Sequence, residues 1–351
     1  MIKSIRLQNI RTFNDQAFSF EPGINLIIGS NGTGKTTILE SIGLLAYGKY
    51  LSIAQDIFVI SKGEEVARIE ATLDGEDVFF VEIGFSAKEK IINFDSQRVP
   101  VSKLIGIFPQ VSFNPETVEL VFDSPALRRR ELDMVLTQAD RNFVIDILNF
   151  KKILKERNAL LRSVSGRRAA PEELDFWNER FCTLAKKIYQ ARLELLDFYN
   201  QTIPEVFRRL SGKEGELTLK YLQSANYERF EESLVVHQEM DIENGLTSIG
   251  PHRDDFAFAL DHRSMREGAS RGEQRLAAIA FKVVASRFLI SKGIQPVIIL
   301  DDVFSELDHA RQQAVSKTLG LFKTKQVFIS TAGEDTLPGD LAEKANIIKL
   351  K

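Results

Sequence analysis

A mixed α/β fold with a helical lobe inserted into it is what the sequence predicts. Three observations carry this: strand-and-turn punctuation in the first and last thirds, a glycine-rich loop between an apolar strand and a helix, and heptad-spaced apolar residues in the middle third. The chain has 351 residues, 44% hydrophobic and 27% charged, which is ample material for cores and unlike a disordered chain. At roughly 100 to 200 residues per domain, two or three structural units are expected, one of them possible from separate segments.

Residues 2–10 alternate (Ile2, Ser4, Leu7, Asn9), and Ile24-Asn25-Leu26-Ile27-Ile28 is a short apolar run ending at Gly29, so both read as strands. Thr36 to Tyr47 contains no proline and reads as a helix. From Ala67 to Phe94, three β-rich stretches broken at Asp74-Gly75 and Ala87-Lys88-Glu89 have the pattern of an antiparallel meander.

Past residue 123 good helix formers take over. Phe143, Ile147, Phe150, Leu154 and Leu161 are spaced 4-3-4-7, with Arg157 standing where an apolar residue is due. Leu174, Trp177, Phe181, Leu184, Ile188, Ala191, Leu195 and Phe198 follow at 3-4-3-4-3-4-3. Joined by Ser163 to Pro171, these stripes read as an antiparallel helical hairpin of about 19 residues per arm, roughly 28 Å at 1.5 Å per residue. Two ordinary core helices are the plainer alternative. After a loosely patterned stretch to residue 245, the punctuation returns: helix at Leu276 to Leu289, strand at Val297 to Leu300, helix at Asp308 to Leu321, strands at Gln326 to Ser330 and Ile347 to Leu350. Residues 1–122 and 246–351 are therefore expected to form one discontinuous α/β domain, and 123–245 the helical lobe with its hairpin arm.

Lys and Arg total 46 against 49 Asp and Glu, a net charge of −3, so nucleic-acid contact would need a local patch. Between residues 151 and 168, Lys151, Lys152, Lys155, Arg157, Arg162, Arg167 and Arg168 face Glu156 alone, seven bases against one acid for a local +6. That stripe is either a footprint for DNA phosphates, with Lys151, Lys152 and Lys155 as candidates, or a solvated helix face. Cys182 is the single cysteine, no apolar run reaches the roughly 18 to 20 residues that span a bilayer, and the charged start Met1-Ile2-Lys3-Ser4-Ile5-Arg6 is unlike a signal peptide. The expectation is a soluble protein of the reducing cytoplasm.

The strongest motif is Gly29-Ser30-Asn31-Gly32-Thr33-Gly34-Lys35-Thr36, a full phosphate-binding loop in its required setting between strand and helix. Glycines let successive N–H groups turn toward one anion and the helix adds its positive end. Lys35 would bridge the β and γ phosphates, and the Thr36 hydroxyl would ligate Mg²⁺. Far downstream, the apolar run Val297-Ile298-Ile299-Leu300 ends in Asp301-Asp302, which suits a Mg²⁺ site at the edge of an α/β sheet. Because strand side chains alternate, Asp301 is assigned to the metal and Asp302 to the attacking water, as base or orienting group. Two turn or capping aspartates are the bland alternative.

The phosphate loop, Ala269-Ser270-Arg271-Gly272-Glu273-Gln274-Arg275 ahead of an apolar helix, and Leu300-Asp301-Asp302-Val303-Phe304-Ser305-Glu306-Leu307-Asp308 together resemble the ABC-type ATPases of the SMC and RecF group. Leu7-Gln8-Asn9-Ile10-Arg11-Thr12-Phe13 is similar to that group's first strand and turn. Ser124-Pro125 with Arg128-Arg129-Arg130-Glu131-Leu132-Asp133, and Thr247-Ser248-Ile249-Gly250-Pro251-His252-Arg253-Asp254-Asp255, narrow the resemblance to its RecF family.

The resemblance implies an ABC-type P-loop ATPase head, a mixed β-sheet with flanking helices, interrupted by the helical lobe. It implies ATP and Mg²⁺ as ligands, with Gly29 through Thr36, Thr37 and Arg11 at the nucleotide and Thr36, Asp301 and Gln110 at the metal. Gln110 stands where the family's glutamine loop belongs, a surface loop glutamine being the alternative. Ser270 and Gly272 would act in trans, on nucleotide bound by the second copy of an ATP-dependent homodimer. Glu273 departs from the more usual glutamine and would set a negative charge near that triphosphate unless Gln274 compensates. Thr331 stands where many relatives carry a phosphate-sensing histidine, Asp302 where most carry a glutamate, and Ser305 and Asp308 in the segment following the carboxylates. The two departures point to slow hydrolysis. By the same resemblance the partners are double-stranded DNA, single-strand/double-strand junctions and the RecR and RecO mediators, in helping to load RecA near gaps. An ATP-binding clamp with negligible turnover stays open, as does another SMC-type ATPase, although no segment is long enough for a nuclease domain. His252 and Arg253 could serve DNA, nucleotide or an internal salt bridge.

Overall fold

The computed structural model describes residues 1–47, 59–74, 78–304, 312–313, 315–316, 319–333 and 343–350. The chain divides into two compact units, the first made of residues 1–118, 205–214 and 271–351 and the second of 119–204 and 215–270.

Unit 1 opens with strands β1 (Ile2–Ile10), β2 (Phe13–Ser19) and β3 (Gly23–Ile28) and helix α1 (Lys35–Tyr47). The meander follows as β4 (Val66–Asp74), β5 (Val78–Ser86), β6 (Lys90–Phe94) and β7 (Gln97–Arg98), then β8 (Gln110–Phe113). Next come helices α2 (Glu119–Phe122), α3 (Pro125–Ala139), α4 (Arg141–Ser165) and α5 (Leu174–Ser211), of which the last turns of α5 belong to unit 1. Unit 2 is completed by β9 (Leu217–Leu222), α6 (Phe230–Asn244), β10 (Asp255–Leu260), β11 (Arg263–Ser264) and α7 (Met265–Gly268). The chain returns to unit 1 through α8 (Arg271–Ser291), β12 (Val297–Leu300), β13 (Gln326–Thr331) and β14 (Ala345–Lys349). The expected helix Asp308 to Leu321 starts outside the described residues, as does Gly75 of the expected meander turn.

Unit 1 holds a six-stranded sheet of antiparallel pairs, β2-β1-β4-β5-β6-β7, and a parallel five-stranded sheet, β14-β3-β13-β12-β8. Their sequences differ as burial requires. Along β4, Ala67, Ile69, Ala71 and Leu73 are buried while Arg68 and Glu70 alternate outward, whereas every residue of β12 and β13 is buried. Ile38 and Ile42 of α1, Ile5 and Leu7 of β1, Ile69, Ile83 and Phe328 share one core. Gln326, 1% exposed, stitches the first strand to the parallel sheet: its Oε1 accepts from Ile2 N at 2.8 Å and its Nε2 donates to Ile2 O at 2.8 Å.

In unit 2, Ser124 caps α3 through Leu127 N, with Pro125 in the first turn, and Asp140 caps α4 through Asn142 N at 2.8 Å. The hairpin helices are longer than the heptad stripes predict, 25 residues in α4 and 38 in α5. The reason is that Tyr199, Ile203, Val206, Phe207 and Leu210 prolong the buried side of α5 past its internal Pro204.

Arg157 corrects the basic stripe. It is fully buried, donating from Nη1 to Asp241 Oδ2 at 2.9 Å and to Thr247 Oγ1 at 2.7 Å, and from Nε to Asn178 Oδ1 at 2.9 Å. It fills the gap in the 4-3-4-7 spacing, so a position chosen by helical geometry for the core holds a paired charge. Lys151, Lys152, Lys155, Arg162, Arg167 and Arg168 remain exposed.

Residues 246–270, expected with the α/β domain, fold with the lobe because β10 pairs antiparallel with β9 along its whole length. The two segments carrying the narrower resemblance meet each other there. Arg128 forks onto Asp255 with two bonds of 2.7 Å, Arg129 donates to Asp254 O at 2.8 Å, and Arg192 joins Asp133 to Pro251 O. The Asp254 carboxylate accepts from Tyr221, Tyr227 and Ser224. His252 Nε2 lies 3.0 Å from Thr247 O and so carries the proton it donates, while burial pushes the imidazole down to about 4.

Candidate nucleotide-binding site

Parallel strands deliver their carboxyl ends to one edge, and the order β3-β13-β12 puts the phosphate loop and Asp301 there with one strand between them. The loop leaves β3 at Gly29. Gly32 and Gly34 have φ of 89° and 99°, and a Cβ on Gly34 would come within 2.6 Å of the Phe13 ring, so position 34 takes no side chain. Lys35 Nζ donates to the carbonyls of Gly29 (2.6 Å) and Ser30 (2.9 Å), and Thr33 Oγ1 donates to Ser30 O at 2.9 Å. Thr37 is buried in α1, and Arg11, at the β1–β2 turn, pairs with Glu40 at 2.6 Å.

Asp301 is 8% exposed. Its Oδ1 accepts from Ser330 Oγ at 2.5 Å, and the nearby Thr36 hydroxyl favours its ionised form. Burial raises its pKa, opposed by the Ser330 and Thr36 bonds and by the Lys35 charge. Asp302 departs from the strand alternation used to assign it: β12 ends at Leu300, and Asp302 takes a left-handed φ of 53°. That backbone is held on both sides, its N–H by Ser330 Oγ at 2.9 Å and its carbonyl by Arg275 Nη2 at 2.6 Å. Ser330 and Arg275 are not singled out by the sequence, and a serine next to the last residue of a strand offers little signal. Thr331 is buried and donates to Gly333 O at 3.3 Å.

Gln110 is the correction at this site. It begins β8, opposite Val297 at the start of β12, whereas Asp301 follows the far end of that strand. It is 1% exposed, and its Nε2 donates to Gly43 O of α1 at 3.0 Å. Strand direction explains the error: in a parallel pair the residue after β8, not its first, lies at the loop edge. That residue is Asn114, since Asp301 N bonds Phe113 O at 2.8 Å, and Thr117 Oγ1 orients its Oδ1 from 2.7 Å.

Ser270 is exposed immediately before α8 and Gly272 lies in that helix's first turn. Glu273 pairs with Lys213 Nζ at 3.3 Å, which supplies the compensation its negative charge requires. Lys151, Lys152 and Lys155 are on α4 in unit 2. Ser305 and Asp308 lie outside the described residues.

A phosphate loop and a buried carboxylate on one edge of a parallel sheet, beside an antiparallel sheet in the same unit, define the head of an ABC-type ATPase. Residues 1–347 match the RecF/RecN/SMC N terminal domain, and the chain belongs to that family, on its RecF branch. It is 32% identical over 353 residues to the DNA replication and repair protein RecF of Moorella thermoacetica, covering 99% of this chain and 94% of that protein. The RecF of Geobacillus thermodenitrificans is 30% identical over 365 residues, covering 99% and 97%. Among solved structures, the recombination mediator protein RecF-ATP of the RecFOR pathway superposes with a TM-score of 0.87 at 27% identity, covering 95% of this chain and 94% of that one. The Pyrococcus furiosus Smc head domain bound to the C-terminal domain of ScpA shares the fold, with a TM-score of 0.59 at 17% identity over 100% and 94% of the two chains.

Gln110→Ala should lower stability by about 1–2 kcal/mol, the cost of losing a buried hydrogen bond, and leave ATP affinity and its Mg²⁺ dependence intact. Thermal unfolding and an ATP titration check both. A variant of normal stability whose ATP binding no longer responds to Mg²⁺ would return Gln110 to the metal.

Proposed function

We propose that the chain is an ATP-dependent DNA-binding protein of recombinational repair, whose subunits close on DNA when ATP binds and part when it is hydrolysed. The observation that carries this reading is the Thr36 hydroxyl on the Asp301 carboxylate beside Lys35. Two hard oxygen donors near one another, next to a phosphate loop, fit Mg²⁺. Bound there, the ion would neutralise charge on the β and γ phosphates.

The residues divide the work. Loop N–H groups from Gly29 to Lys35 and the start of α1 hold the phosphates, and Lys35 exchanges its two carbonyl partners for phosphate oxygens. Thr36 and Asp301 hold the metal. Asp302, its backbone clamped by Ser330 and Arg275, orients the attacking water. Arg11 and Thr37 complete the nucleotide side, and the exposed Ser270 and Gly272 N–H reach the γ-phosphate on a second copy, so the site is complete only in the dimer. A short aspartate at 302 and a threonine at 331 make turnover slow, and DNA stimulates it.

The exposed Lys151, Lys152 and Lys155, with Arg162, Arg167 and Arg168, follow the backbone of duplex DNA at single-strand/double-strand junctions. RecR and RecO are the protein partners, and the outcome is RecA loading at gaps, in the cytoplasm. The relatives' names, DNA replication and repair protein RecF and a mediator of the RecFOR pathway, support this. No described helix is long and apolar enough to cross a membrane.

Asp302→Asn keeps the side chain's size while removing its charge. It should bind ATP normally, hydrolyse it at least about tenfold more slowly, and stay dimeric longer, read by phosphate release and light scattering. Hydrolysis at the wild-type rate would remove Asp302 from the chemistry, and a wild type with no turnover on DNA would leave a clamp.

Reversing Lys151, Lys152 and Lys155 to Glu should weaken duplex binding and flatten its salt dependence by up to about three units of log–log slope, with ATP binding intact. The comparison needs saturating ATP and dimerisation followed in parallel. A variant that dimerises and keeps both affinity and slope would place the DNA elsewhere.

A further inference from the structure

Helix α6 carries apolar residues on both its sides, which a surface helix with one neighbour does not need. Inward, Phe230 and Leu234 are buried, and Asp241 is fully buried in its bond to Arg157, so the rotation of the helix is fixed from within. Outward, Val235 is 71% exposed, Val236 78% and Met240 43%. Adjacent valines are poor helix formers, so no local preference accounts for them.

Charge defines the rest of the face. Glu232, Glu239 and Glu243 are exposed around the apolar patch, spaced 7 and 4 residues apart. Glu232 is engaged by Arg229 at 2.7 Å, while Glu239 and Glu243 have no ion-pair or hydrogen-bond partner among the described residues. Aliphatic positions one turn apart, flanked by acids, are the pattern by which a helix selects another helix. The sign excludes nucleic acid and anionic lipid, which the carboxylates repel.

We infer that the outer face of α6 is a docking surface for a helical segment of a protein partner that carries aliphatic side chains flanked by lysine or arginine. The exposed valines supply the apolar contact, and Glu239 and Glu243 take the partner's cations and fix its register. This inference does not depend on the ATPase reading.

The full chain can report on it directly. Cys182 is buried, with its thiol pushed up to about 11, so in Val236→Cys the introduced thiol takes a polarity-sensitive dye selectively. The probe is a synthetic helix of about 20 residues with leucine at a and d and lysine at e and g, and the control carries glutamate in place of lysine. The expected result is a saturable blue shift with the lysine helix alone, with affinity about tenfold weaker when Glu239→Lys and Glu243→Lys are added. In unlabelled chain, Val235→Ser with Val236→Ser should keep its circular dichroism and melting temperature and lose binding of the labelled lysine helix. No shift, an equal shift with both helices, a shift with duplex DNA, or one that grows with chain concentration alone would each overturn the assignment.

Discussion

One hydrogen-bonded chain across the edge of the parallel sheet holds the site together. Ser330 on β13 bonds the carboxylate of Asp301 and also takes the N–H of Asp302, while the Thr36 hydroxyl, on the helix after β3, favours the ionised form of that carboxylate. The strand order β3-β13-β12 is what permits this, because it brings the end of β13 and the loop after β3 to the same sheet edge as Asp301. Residues about 265 apart in sequence are thereby brought to one edge of the sheet. A buried carboxylate that accepts from Ser330 beside the charge of Lys35 is held in one place by the fold itself.

The same constraint accounts for much that the sequence made legible. A glycine loop between an apolar strand and a helix, and an apolar strand ending in two carboxylates, are signals written in consecutive residues, and the structure brings them together. Gln110 was misjudged because its motif states a residue type and not a strand direction. At the first position of β8 it faces the far end of α1, where Gly43 O receives it. Asp302 was assigned its side of the strand by an alternation that stops at Leu300, and its left-handed backbone, set by Ser330 and Arg275, leaves no trace in sequence.

Buried charge was the other source of error. Counting bases along α4 put Arg157 in an exposed stripe, while helical spacing put it at the seam, and the seam prevailed because Asp241 lies 84 residues away to meet it. The two segments that narrowed the resemblance likewise answer each other, Arg128 with Asp255 directly and Asp133 with Pro251 through Arg192. Their residue types invite a ligand, yet Arg128, Asp133, Asp254 and Asp255 are engaged within the lobe. The extent of that lobe was also hidden, because β10 is recognisable as a strand but its partner β9 lies in a stretch without clear pattern.

The account's central claim is that the loop from Gly29 to Thr36 binds the phosphates of ATP through Lys35. Calorimetric titration of ATP with Mg²⁺ into wild-type chain and Lys35→Ala tests it most directly, with circular dichroism to confirm that the variant folds. Loss of the loop's one cation should weaken ATP by about a hundredfold, in line with removing a charge-assisted bond of up to about 3 kcal/mol. A folded variant that binds ATP as tightly as wild type would contradict the claim and the function built upon it.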